Sequence, residues 1–160
     1  MIHKIEINTI IKEHSNQSNW VLRDHDETIL FGQSLADTLK KTNILFLEGP
    51  LGAGKTSLVK GIAKGLNIKE PITSPTFALS HHYLHGSRAL IHLDLYRLEK
   101  AQAANELFLQ EEETATMLNG LIVIEWPSRL SLKVDDAYQI SIKYLPHGAQ
   151  GRKIQLIPST

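Results

Sequence analysis

The stretch that decides the fold is ILFLEGPLGAGKT, residues 44–56. Its first part, Ile44–Leu47, is a short apolar run bounded by polar residues and glycine, which predicts a buried strand. Gly49–Thr56 fits the pattern G-x-x-x-x-G-K-[ST], and a helix is predicted to follow over about 55–65, with Gly65 at its end. In this order of strand, loop and helix, backbone N–H groups curl around a phosphate and the helix N-terminus adds positive potential. The alternative interpretation is an ordinary glycine turn.

The loop therefore predicts a nucleotide site. Lys55 is expected to reach the β- and γ-phosphates, and the Thr56 hydroxyl is expected to coordinate Mg²⁺. The residues predicted to contact the nucleotide here are Gly49, Leu51, Gly52, Ala53, Gly54, Lys55, Thr56 and Ser57.

Such a loop needs a carboxylate at the end of another strand to hold the magnesium ion, and the chain offers two candidates. Asp94 ends the run 90–93, and Glu125 ends the apolar run 121–124. Ligands of open α/β sheets bind outside the carboxyl ends of the strands, where either acid would emerge. Glu125 has the cleaner context, because Trp126-Pro127 breaks its strand at once. Each acid, taken alone, could also be a surface residue at a strand end.

Three further features have two interpretations each. Thr73-Ser74-Pro75-Thr76 is either a switch segment that orders against γ-phosphate and Mg²⁺ or a plain turn. Trp126 is either a core residue or a platform on which adenine stacks. The histidines at 81, 82, 85 and 92 suggest a metal site, but alternation along strands would scatter them over both faces, so no histidine metal site is predicted.

The remaining elements complete an α/β pattern. Asp24-x-x-Glu27 is a capping box that predicts a helix through about Lys41. Two stretches, 77–84 and 89–96, predict a hairpin with Gly86 in its turn. A helix is predicted over 100–113, with Glu111–Glu113 as a solvated helix end, and a strand pair over 137–145 and 153–157. The fold class is thus α/β, a three-layer P-loop NTPase-like fold with a mixed central sheet.

Length and composition narrow the classes further. The 160 residues suit one domain, expected over 19–160, after a polar leader over 1–18 with a short strand around 5–11. The chain has no cysteine, so disulfides and thiolate metal sites are excluded. No apolar run approaches the ~18 residues that would span a membrane. The 17 basic and 17 acidic side chains cancel, which argues against binding nucleic acid through net charge. A cytoplasmic protein is expected.

Five strings resemble one family, the bacterial TsaE-like (YjeE-type) P-loop ATPases of tRNA threonylcarbamoyladenosine biosynthesis. They are GPLGAGKTSLVKGIAKGLNI, TSPTFAL, HLDLYRLE, ELFLQEE and LIVIEWPSRL, in this order from residue 49 to residue 130. HLDLYRL and IEWP are far more specific than the glycine-rich loop, and the likeness extends from about Trp20 to Lys153.

The resemblance implies weak ATP hydrolysis with Mg²⁺ and a partnership with the TsaD and TsaB proteins, which modify the adenosine beside the tRNA anticodon. It makes Glu125 a magnesium ligand with Thr56, and it makes Asp94 necessary for hydrolysis alongside Lys55. It also implies that Thr73 and Thr76 belong to a switch near the γ-phosphate, and Trp126 is counted with the nucleotide site. Contact with tRNA is expected to be indirect at most.

Three positions depart from the family pattern: Pro50, His82 and Ser128 stand where an acid is common. Two rival functions remain at this stage. One is a small-molecule kinase built on the same loop, although the arginines of this chain are scattered singly along the sequence. The other is a nucleotide-binding regulatory module without turnover.

Overall fold

The computed structural model describes residues 18–157, which form a seven-stranded sheet with three α-helices. The strands are β1 Ser18–Leu22, β2 Ile44–Glu48, β3 Ser80–Tyr83, β4 Leu90–Asp94, β5 Leu121–Glu125, β6 Ala137–Tyr144 and β7 Arg152–Ile157. The helices are α1 His25–Thr38, α2 Lys55–Gly65 and α3 Ala101–Met117. The predicted leader strand around 5–11 lies outside the described residues.

The sheet is mixed, in the order β1-β7-β6-β2-β5-β4-β3. Its four central strands, β6, β2, β5 and β4, are parallel. On one side β3 pairs antiparallel with β4, and on the other β7 pairs antiparallel with β6 and β1 antiparallel with β7. Every residue of β4 and β5 is buried, as central strands covered on both faces require. The predicted mixed α/β sheet is confirmed, and so are the 77–96 hairpin and the final strand pair.

Alternating side chains of the central strands divide the core into two layers. Leu45 and Leu47 face α1 and α2, together with Val123 of β5. Ile44 and Ile124 face α3, where Phe108 is buried. The three layers are therefore α1 and α2, the sheet, and α3. Within residues 18–157, no helix is long and apolar enough to cross a membrane.

Helix α1 begins where the capping box predicts. The Asp24 side chain accepts a hydrogen bond from the Glu27 N–H at 2.9 Å, and Glu27 Oε2 accepts one from the Arg23 N–H at 2.7 Å. A 3₁₀ turn over Leu39–Lys41 continues the helix to the predicted end.

Two local predictions are wrong in detail. Helix α3 continues past Glu113 to Met117, and Glu111 is buried, 2.7 Å from His82 Nε2, so this acid is not part of a solvated helix end. Gly86 lies between the two hairpin strands, as predicted; its backbone is not left-handed, but a Cβ there would lie 2.6 Å from the Leu66 carbonyl oxygen. Gly65 is the last residue of α2, as predicted; a Cβ there would lie 2.4 Å from that of Ala36, so this glycine allows α1 and α2 to approach closely, and the left-handed residue beyond the helix is Asn67 with φ +57°.

Candidate active site

The candidate site lies at the carboxyl end of the parallel strands. Strand β2 leads directly into the glycine-rich loop, and its neighbour β5 delivers Glu125. The next strand, β4, delivers Asp94, which is paired in register with Glu125. The sheet order thus brings both candidate acids beside the loop, although the chain separates the loop, Asp94 and Glu125 widely.

The loop backbone turns at two glycines in the left-handed region, Gly52 with φ +75° and Gly54 with φ +105°. Gly54 is the residue before α2, so the turn aims the N-terminus of that helix into the loop. The Ala53 N–H donates to the Pro50 carbonyl at 3.1 Å, which closes the curl. Pro50 itself is exposed, as expected for a side chain that points away from the loop interior. A side chain at either glycine would be strained, because L-residues rarely adopt positive φ.

Lys55 lies inside this curl and is only 5% exposed. Its ammonium donates to the carbonyl oxygens of Gly49 at 2.7 Å and Pro50 at 2.9 Å, and it lies 4.5 Å from the centre of the Trp126 ring. Burial lowers the pKa of Lys55, while the nearby carboxylates of Glu125 and Asp94 oppose that shift. The cation is therefore held at the mouth of the loop by weak neutral acceptors, which an anion could replace.

Thr56, Glu125 and His92 form a connected group behind the lysine. The Thr56 hydroxyl donates to Glu125 Oε1 at 3.0 Å, and His92 Nε2 lies 2.9 Å from the same oxygen. Glu125 is 3% exposed and His92 is fully buried. A hydroxyl and a carboxylate at this distance are oxygen ligands that suit Mg²⁺, so the donor set fits the predicted ion.

Asp94 is held by both of its carboxylate oxygens. Oδ2 accepts from the Thr76 hydroxyl at 2.7 Å, and Oδ1 accepts from the Tyr96 N–H at 3.0 Å. Because Asp94 is 4% exposed, these bonds fix its orientation in a largely dry environment. Thr76 is therefore tied to the site through Asp94.

Trp126 joins the site through an unusual backbone. Its φ of +59° places it in the left-handed region immediately after β5, and its ring packs against Tyr96 at 4.9 Å between centroids. It is half-buried against the layer that contains α3 and lies over Lys55, so it combines a packing role with a position at the lysine end of the site.

The structure does not bring every predicted residue to this group. Thr73 lies against β3, where its N–H donates to the Tyr83 hydroxyl at 3.2 Å and its hydroxyl lies 3.4 Å from His81 Nδ1. Ser57 Oγ lies 3.1 Å from His25 Nδ1, on the side of the loop that faces α1. Leu51 is exposed at the tip of the loop.

Two residues that hydrogen-bond to the loop were not predicted from the sequence. The Tyr144 hydroxyl donates to the Leu51 carbonyl at 2.7 Å, and Arg152 Nε donates to the Ala53 carbonyl at 3.2 Å. The guanidinium of Arg152 also lies 4.4 Å from the centre of the Tyr144 ring. Both come from the β6–β7 pair and reach the loop only through the three-dimensional register, so no local pattern marks them.

Comparisons with known proteins show the family to which the chain is related. The family described as threonylcarbamoyl adenosine biosynthesis protein TsaE matches residues 22–154. A curated relative from Nostoc sp. is 39% identical over 83% of this chain and 82% of its own. One from Synechocystis sp. is 41% identical over 73% of this chain and 74% of its own, and one from Treponema pallidum is 38% identical over 80% and 93%. All three are named tRNA threonylcarbamoyladenosine biosynthesis protein TsaE.

A solved structure supports the same assignment at the level of the fold. The crystal structure of Bacillus subtilis YdiB superposes with a TM-score of 0.69 at 28% identity and covers 92% of this chain and 90% of its own. With a family match from β1 into β7 and relatives well above 30% identity, the chain belongs to the TsaE family of threonylcarbamoyl adenosine biosynthesis proteins.

Proposed function

We propose that this protein is a Mg²⁺-dependent ATPase that acts with TsaD and TsaB in the threonylcarbamoyl modification of the adenosine beside the tRNA anticodon. The observation that carries the proposal is the convergence of Lys55, Thr56, Asp94 and Glu125 at one end of three parallel strands. Membership in the TsaE family supports the pathway, and the loop supports the nucleotide.

The loop and Lys55 bind the phosphates. Phosphate oxygens are charged acceptors and form stronger hydrogen bonds than the neutral carbonyls of Gly49 and Pro50 that hold the ammonium now. The N-terminus of α2, which starts at Lys55, adds its unpaired N–H groups and partial positive charge. The low exposure of Lys55 strengthens its attraction to an anion, because little water screens the charge.

Thr56 and Glu125 would hold the magnesium ion. When bound, Mg²⁺ neutralises charge on the β- and γ-phosphate oxygens. Thr56 donates its hydrogen to Glu125 Oε1, which leaves the lone pairs of the hydroxyl available to a cation. The two side chains thus orient each other for this role.

Asp94 orients the attacking water or accepts its proton. Its two hydrogen bonds, to Thr76 and to the Tyr96 N–H, keep the carboxylate in one direction beside Glu125. A carboxylate held in this way positions a nucleophile without the cost of reorganising its surroundings during the reaction. Because phosphoryl transfer depends mainly on positioning and charge stabilisation, few other protein groups are required for hydrolysis.

A single-turnover assay with ATP and Mg²⁺, run with and without purified TsaD and TsaB, tests the proposal. We expect slow hydrolysis that depends on Mg²⁺ and on the partner pair, together with a requirement for this protein in tRNA modification by the reconstituted set. Transfer of the phosphoryl group to a small molecule would support the kinase instead. Binding without turnover in any mixture would support the regulatory module.

The role of tRNA is tested separately. Because positive and negative side chains balance, the protein alone should bind tRNA weakly, and moderate salt should abolish the binding. A filter-binding titration of tRNA over a range of salt concentrations measures this, and tight binding by the isolated protein would contradict an indirect role.

A further inference from the structure

His92 is a fully buried polar side chain that the proposed mechanism does not use. It lies on β4 between the packed Leu90 and the site residue Asp94, and alternation along the strand places all three on the face that carries α1 and α2. Its Nε2 lies 2.9 Å from Glu125 Oε1. Its other ring nitrogen, Nδ1, is buried and has no hydrogen-bond partner among residues 18–157.

The chemistry of this contact fixes its direction. An ionised carboxylate only accepts hydrogen bonds, so the Nε2 atom must carry the hydrogen that Glu125 receives. The other ring nitrogen, Nδ1, has no group to bond with among residues 18–157. A buried polar atom without a partner costs stability that an apolar side chain of similar size would not cost. Stability alone therefore gives no reason for histidine at this position.

The geometry at Glu125 provides the reason. Oε1 accepts from two donors, His92 Nε2 and the Thr56 hydroxyl, which is as many hydrogen bonds as its two lone pairs can accept. The other carboxylate oxygen of Glu125, Oε2, takes part in neither of these two hydrogen bonds. Two donors from two different elements, β4 and α2, therefore hold the carboxylate in one rotation and leave Oε2 as the oxygen that is available to a cation.

We propose that His92 is a positioning residue for the magnesium site, acting through Glu125. This inference rests on the proposed magnesium-dependent function and extends it by one residue. Partners that hydrogen-bond to a metal ligand fix its direction, and losing one typically lowers metal affinity by about 10- to 100-fold. His92 touches neither nucleotide nor ion in this scheme; it acts by restricting the rotation of the carboxylate.

Three substitutions separate this role from simple packing. In His92→Gln, the amide nitrogen reaches the place of Nε2 and keeps the donor. In His92→Asn, the amide reaches only the place of Nδ1 and loses the donor while remaining polar. His92→Leu fills the space without any donor. If His92→Leu fails to fold, the Gln and Asn variants still decide the question.

The measurement is direct binding of Mn²⁺, as a probe for Mg²⁺, to the full chain with ADP, read from the free-ion electron paramagnetic resonance signal. We expect His92→Asn and His92→Leu to weaken Mn²⁺ binding by about 10-fold or more, and His92→Gln by less than about threefold. ADP affinity without metal should be unchanged in all three. In hydrolysis, the Mg²⁺ concentration for half-maximal rate should rise, and the rate at saturating Mg²⁺ should recover.

Two results would overturn the inference: wild-type Mn²⁺ binding in both His92→Asn and His92→Leu, or equal losses in His92→Gln and His92→Asn. Glu125→Gln is the reference variant. If Glu125→Gln binds Mn²⁺ as the wild type does, the proposed magnesium site itself is wrong and the inference falls with it. If Glu125→Gln loses the ion and the His92 variants keep it, only the role of His92 is wrong.

Discussion

At Lys55, one ammonium group contacts two carbonyl oxygens of the loop and the face of Trp126. Replacing it with alanine removes the charge that would stabilise the transferred phosphoryl group, so we expect Lys55→Ala to lower the hydrolysis rate by at least about 100-fold. The fold should survive, because the group acts on the loop and not on the apolar core. Single-turnover hydrolysis and thermal unfolding measure the two effects.

The matched control for this substitution is Lys64→Ala, which removes an exposed lysine from the last turn of the same helix. Its hydrolysis rate should equal that of the wild type. Wild-type hydrolysis in Lys55→Ala would refute the assignment of the loop as a phosphate site.

Asp94 and Glu125 are neighbours in the sheet register, but substitutions at the two positions should impair different steps. Asp94→Asn keeps an oxygen that can accept from the Tyr96 N–H, yet loses the charge that a water molecule needs as its proton acceptor. We expect ATP affinity to remain and the hydrolysis rate to fall by about 100-fold or more. Equilibrium binding and single-turnover rates, measured on the same preparation, test this. Equal losses in affinity and rate would instead indicate a role in binding.

The residues that the sequence could predict are those that a local pattern marks. Gly54, Lys55 and Thr56 follow one another in a motif, and Glu125 follows an apolar strand, so short segments are enough to find them. The partners of these residues are different. His92 reaches Glu125, and Tyr144 reaches Leu51, only through strand order and register. A sequence without an alignment contains no signal for such pairs.

At the scale of elements, helices α1 and α2 pack closely against each other through two glycines. A Cβ on Gly61 would lie 2.2 Å from the Ile29 carbonyl oxygen, and one on Gly32 would lie 2.5 Å from the Leu58 carbonyl oxygen. We expect Gly61→Ala to force the helices apart and to lower the free energy of unfolding by about 2 kcal/mol, which corresponds to a fall in Tm of about 4–8 °C. Thermal unfolding followed by circular dichroism measures it.

Gly32→Ala tests the same contact from the opposite helix and should give a similar loss. Alanine normally favours a helix over glycine by about 1 kcal/mol. An unchanged or higher Tm in both variants would therefore show that the two helices separate without cost, contrary to this prediction.

Elements were easier to predict than their ends and their burial. The apolar runs at 44–47 and 121–124 predict buried strands because their composition leaves no other place for them. In helix α3, the acidic run Glu111–Glu113 predicts side chains exposed to solvent. Glu111 is nevertheless buried, because His82 on the edge strand supplies a hydrogen-bond partner. A pairing between elements thus reversed what local composition indicated.

At the scale of the whole molecule, the proposed partnership needs a surface that differs between nucleotide states. Thr76 is the candidate, because its hydroxyl bonds to Asp94 while its neighbour Phe77 is 87% exposed. A partner with differential affinity for two states typically distinguishes them by about 5- to 150-fold. We expect Thr76→Ala to bring the ATP-to-ADP ratio of affinities for TsaD–TsaB close to one, as calorimetry with each nucleotide would measure.

Thr73→Ala is the control that the structure offers. Thr73 belongs to the same segment but lies against β3, and its backbone bond to the Tyr83 hydroxyl would survive the substitution. Its nucleotide preference should stay close to that of the wild type. The same preference in Thr76→Ala and the wild type would contradict a switch at this threonine.

The position of β2 in the sheet has a consequence for how the protein is made. This strand leads into the glycine-rich loop, yet both of its neighbours are synthesised much later, β5 from Leu121 and β6 from Ala137. Domains generally fold as units during synthesis, and pairings between distant segments form late. An unfinished chain therefore carries the complete loop sequence without the strands that hold it. A chain that ends before β5 and β6 is therefore expected to lack the support that holds the loop in this conformation.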